Sequence, residues 1–161
     1  MDSTEIQKIA LFFFYSILDE KRTIEAASQA YSFYVSLSKK EPHLAKNIIL
    51  IKSLSKVWES IKTRIYRGRP QFSYEAGWSF FKDTDLGPWI EFQKKASDEL
   101  LMAVIYSHIL KFTDAEISQA LELTEGTVRY RVGRGLSYLG SMIDPKTQIP
   151  PESKKKIEVV K

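Results

Sequence analysis

Cysteine is absent from the 161 residues, which excludes disulfides, thiolate metal sites and a thiol nucleophile, and fits a reducing cytoplasm. Histidine is nearly absent too. His43 and His108 are far apart in sequence, and neither a phosphate-cradling glycine loop nor a metal-spaced pair of acids accompanies them. No catalytic residue, cofactor or metal site is expected, and the chain does not read as an enzyme. His108 lies in an apolar run and is expected to be a packing residue. A long hydrophobic run is also missing. The most apolar opening stretch, Ile9 to Leu18, is only about ten residues where a membrane span needs roughly 20, and Asp2 and Glu5 outweigh Lys8 before it. Neither a transmembrane helix nor a signal peptide is predicted, so a cytoplasmic location is expected.

Glycine and proline are sparse and unevenly placed. Before Gly68 there is no glycine and only Pro42, and apolar residues recur at helical spacing through Ile6, Ile9, Phe13, Ile17, Ala27, Ala30, Tyr34 and Leu37. This predicts helices over residues 1–67, with a turn at Pro42 and a third helix from about His43 to Tyr66. Between Gly68 and Pro88 glycine, proline and aromatics mix without a sustained period, so residues 68–96 are expected to be an aromatic-rich linker packed along its neighbours. Residues 144–161 carry Pro150, Pro151 and three successive lysines without apolar periodicity and read as a disordered tail. The fold class expected is all-α, with a helical N-terminal domain followed by a helix-turn-helix over 97–143.

Lysine and arginine total 24 against 20 acids, a net charge of +4, which is compatible with a nucleic-acid partner without requiring one. The arrangement of residues 97–143 is more informative. Ser97 precedes two first-turn acids and an amphipathic run, the pattern of a capped helix start. Thr113 and Glu116 have capping-box spacing, and Thr124 supplies another N-cap after a short turn. Beyond it Val128, Val132, Leu136 and Leu139 fall within an arc of roughly 80° at about 100° per residue, which predicts one buried stripe. Opposite that stripe lie Gly126, Thr127, Tyr130, Arg134 and Ser137, with Arg129 and Arg131 on its shoulders. No acid follows Glu125 until Asp144. A helix that is small at its start and then basic and aromatic suits a major groove about 12 Å wide, where arginine meets guanine edges or phosphate.

At these residues the chain resembles region 4 of the sigma-70 family, especially its extracytoplasmic-function branch. The run from Asp114 to Leu136 carries the resemblance, and LTEGTVRYRVGRGL is its most specific part. It implies a transcription initiation factor that binds double-stranded promoter DNA and core RNA polymerase, and it leaves room for a controlling anti-sigma factor. Carried over residue by residue, it implies base or phosphate contacts from Glu125, Gly126, Arg129, Tyr130, Arg131 and Arg134. Thr127 joins this set on the geometric reading. Glu122 departs from the family, which often has glycine in this turn, and a left-handed backbone there would be strained.

Upstream, the segment from Leu18 to Val35 resembles the family's polymerase-binding helix only in its spacing of small and aromatic residues. Lys62, Arg64, Arg67 and Arg69, interleaved with Trp58 and Tyr66, form a mixture able to grip single-stranded DNA. Cations at a helix C-terminus are also what the helix dipole favours, and this structural reading is preferred. The alternative function is a dimeric or signal-sensing helix-turn-helix regulator that is not a sigma factor.

Overall fold

A computed structural model describes residues 3–71 and 85–143. The aromatics Phe72, Tyr74, Trp78, Phe80 and Phe81 and the whole of the expected tail therefore lie outside the described residues. Those described are all-α: α1 is Ser3–Ile17, α2 Glu20–Lys40, α3 Lys46–Ile61, α4 Gly87–Lys95, α5 Asp98–Val104, α6 Asp114–Leu121 and α7 Glu125–Ile143. None of these helices is long and apolar enough to cross a membrane.

Local chemistry sets most of the boundaries. Leu18 ends α1 in the left-handed region with φ 57°, and the Asp19 carboxylate then caps α2 by accepting from the Arg22 amide at 3.0 Å. Pro42 falls in the turn before α3, which runs to Ile61 and continues as one 3₁₀ turn, Lys62–Arg64. Within the stretch expected to be a linker, α4 forms with Pro88 in its first turn, where a missing amide costs nothing. Trp89 and Phe92 are buried there. The Trp89 indole donates to the Tyr15 carbonyl at 2.9 Å, and the Gln93 amide to that of Ser16 at 3.0 Å. Burial of these side chains is what makes a segment without clear sequence period helical.

A single cluster of buried apolar side chains runs through all seven helices. Phe12 of α1 stacks on Tyr106 with ring centroids 5.3 Å apart, and the Asn47 amide of α3 donates to Glu116 of α6 at 2.7 Å. The N-terminal helices and the expected helix-turn-helix thus meet across one core. After α5 the helix widens into a π turn, Ile105–Ile109, closed by Lys111 at φ 63° and by a Phe112 amide reaching back to the Tyr106 carbonyl at 3.0 Å. This widening offsets the side chains from an ideal helical projection. His108, expected to pack, is exposed instead.

Candidate nucleic-acid interface

The unit from α5 to α7 is built on its caps. Ser97 accepts from the Leu100 amide at 3.2 Å. Thr113 and Glu116 exchange hydrogen bonds at 3.1 and 2.9 Å, the reciprocal capping box. Glu122 sits at φ 58° and ψ 48°, and the next amide, of Leu123, returns to the Ser118 carbonyl at 2.9 Å. That is a Schellman closure. It turns the chain sharply into α7, whose first turn is capped by the Thr124 hydroxyl accepting from the Thr127 amide at 3.0 Å.

Three titratable groups behind this unit are shifted. Burial alone would raise the Glu116 carboxyl. Hydrogen bonds from the Thr113 backbone, the Asn47 amide and the Thr113 side chain, with the Lys8 charge, bring it below its usual range. Burial pushes the Tyr106 phenol up against the opposing bond to Ser55, so it stays protonated. The hydrogen bond to Glu59, then the Asp98 charge, hold the Lys62 ammonium above its ordinary value despite some desolvation.

The seven residues expected at the site fall into three groups. Glu125, Gly126, Arg129 and Tyr130 are exposed on the open side of α7. Arg134 lies on the same side but is half-buried: its guanidinium donates to the Tyr130 hydroxyl at 3.1 Å and lies 5.8 Å from the ring centroid. Arg129 is 62% exposed and only loosely paired, 3.7 Å from Glu125 and 3.9 Å from Asp114. Such pairs are worth at most about 1 kcal/mol and yield readily to a phosphate. Thr127 is half-buried, its hydroxyl 2.9 Å from that of Thr124, and belongs to the cap.

Arg131 turns the other way. It is 26% exposed and donates to Glu99 of α5 at 2.9 Å. Sequence spacing offers no signal for this pair, because 32 residues separate its members. The buried stripe also differs from the helical projection. Val128 and Val132 are buried as expected, Leu136 and Leu139 are half-buried, and Gly135 is buried against α5. A Cβ on Gly135 would lie 2.5 Å from Val104 Cγ2 and 3.2 Å from the Leu100 carbonyl oxygen. Only a residue without a Cβ lets α5 and α7 come this close.

The basic and aromatic residues ending α3 are arranged around Asp98, a role that its place in a first turn does not reveal. Its carboxylate accepts from the Trp58 indole at 2.6 Å and from Arg67 at 3.3 Å, and pairs with Lys62 at 3.4 Å. Trp58 is 1% exposed, so no base can stack on it. Arg64, Tyr66 and Arg69 remain exposed, with Arg69 lying 5.9 Å over the Tyr66 ring. Among the described residues no group of three or more histidine, aspartate or glutamate side chains could hold a metal ion. No protein family, curated protein or solved structure matches the chain.

Proposed function

We propose that the protein is a DNA-binding transcription factor that lays α7 in the major groove of a promoter and, as its resemblance to sigma region 4 implies, works with core RNA polymerase. The observation carrying this reading is the open face of α7, where Gly126, Arg129 and Tyr130 are exposed and the half-buried Arg134 reaches the Tyr130 hydroxyl, beyond a tight capped turn. Small residues at the helix start permit close approach, and the Arg129 and Arg134 guanidiniums supply base or phosphate contacts. The reading predicts salt-dependent binding to duplex DNA, with the logarithm of affinity falling by about 0.9 per phosphate contact for each tenfold rise in salt. Fluorescence anisotropy on labelled duplexes across a salt series tests it. A protein that fails to bind any duplex pool at low salt, alone or with core polymerase, refutes it.

One observation favours the second reading, a helix-turn-helix regulator rather than a sigma factor. Trp58, Lys62 and Arg67 are held by Asp98, so half of the residues offered by the sequence for gripping single-stranded DNA are engaged within the protein. Run-off transcription with core polymerase separates the two. Activity supports the sigma-like factor; autonomous binding to a palindromic site by a dimer supports the regulator.

A further inference from the structure

The three arginines of α7 differ in what balances their charge. Arg129 lies 3.7 Å from Glu125 and 3.9 Å from Asp114, and Arg131 lies 2.9 Å from Glu99. Arg134 meets neutral groups instead, donating to the Tyr130 hydroxyl at 3.1 Å with its guanidinium 5.8 Å from the centre of the same ring. Among the described residues it is the one arginine of α7 whose charge no carboxylate balances. Position along the helix decides what that charge can meet. A recognition helix sets its first residues on base edges, which in α7 would be Glu125, Gly126 and Arg129. Arg134 comes nine residues after Glu125, about 14 Å further along the axis at 1.5 Å per residue. There the helix passes from the base edges to the sugar-phosphate backbone.

We propose that Tyr130 is a positioning residue, which holds the Arg134 guanidinium ready for a DNA phosphate. An arginine loose on a helix surface gives up rotamer freedom when it meets its anion. The hydroxyl and ring face of Tyr130 order the side chain beforehand, and because both are neutral they leave its full charge for the phosphate. Tyr130, although 61% exposed, thus acts through Arg134 and does not itself touch the DNA, unlike the direct contact that the resemblance to sigma region 4 implies for it. This role rests on the DNA-binding reading and assigns a partner group, phosphate, to one end of the same face.

A phosphate contact is independent of base sequence, so a labelled duplex of mixed sequence serves as the probe. Anisotropy with the full chain across a salt series is expected to show Tyr130→Phe binding about threefold more weakly than the wild type, and Tyr130→Ala roughly tenfold. Both should keep the wild-type salt slope, because the charge that releases a counterion remains, whereas Arg134→Ala lowers the slope by about 0.9. Tyr130→Phe should add no loss in the Arg134→Ala background and show its full effect in the Arg129→Ala background. Urea midpoints check that the variants fold alike. Undiminished binding by Tyr130→Phe overturns the positioning role, and so does a loss that persists beside Arg134→Ala, which would put the hydroxyl on the DNA. An unchanged slope in Arg134→Ala overturns the phosphate assignment. Each of these results leaves DNA binding itself standing. A wild-type protein that binds no duplex, alone or with core polymerase, refutes the DNA-binding reading and this role with it.

Discussion

Two glycines in α7 separated by a single residue should respond oppositely to the same substitution. Gly133 is exposed and an added Cβ would meet nothing within 4 Å, whereas a Cβ on Gly135 would lie 2.5 Å from Val104 Cγ2. Alanine removes a helix-propensity penalty of about 1 kcal/mol at either site. At Gly135 the gain is offset by overpacking, which in a tight core costs about 1–3 kcal/mol. Val104 is 1% exposed and β-branched, so it has few other rotamers to adopt, and the Leu100 carbonyl 3.2 Å away belongs to helix backbone. Gly133→Ala is therefore expected to stabilise by about 1 kcal/mol and Gly135→Ala to destabilise by about 1 kcal/mol. For a chain of this length, that difference of about 2 kcal/mol separates the two melting temperatures by roughly 4–8 °C. Urea unfolding followed by circular dichroism gives the free energies directly. Adding Val104→Ala to each variant forms a cycle, in which the smaller side chain at position 104 should recover part of the loss only in the Gly135→Ala background. Equal stabilisation by both glycine substitutions would refute the close α5–α7 contact.

Glu122→Gly should stabilise the chain by roughly 0.5–1 kcal/mol, because Glu122 holds a left-handed backbone with an exposed side chain; a loss on thermal melting would contradict the Schellman turn. The lowered Glu116 carboxyl contributes stability above its unfolded value of 4.5, and this is lost as the pH falls through its lower folded value. Glu116→Gln should therefore flatten the acid limb of the stability profile below about pH 4.5, as read by urea midpoints across pH. If α7 reads DNA, Arg129→Ala and Arg134→Ala should each reduce the salt slope of duplex binding by about one. Arg131→Ala should change that slope less and lower the urea midpoint instead, since its guanidinium is held by Glu99; a full one-ion loss for Arg131→Ala would return it to the phosphate contacts.

The features legible in the sequence are those made by neighbours along the chain. Ser97, the Thr113–Glu116 pair and Thr124 cap helices through contacts three residues apart, and such chemistry is complete within one turn. Glu122 stands out as a strained turn only through the resemblance, which often puts glycine at this position. The period of Val128 and Val132 marks the inner side of α7, and its open face follows as the complement, so Gly126, Tyr130 and Arg134 are readable there, with Arg129 only on its shoulder. Packing between distant segments decides the rest. No local pattern says that Arg131 turns to Glu99, that Trp58 donates to Asp98 across 40 residues, or that α4 forms where glycines, prolines and aromatics suggest a linker. The use of Gly135 also depends on what comes against it, for Gly133 in the same helix meets nothing. A helix's own period says which residues share a face, but only the element laid against that face determines which glycine is a point of contact and which arginine is free.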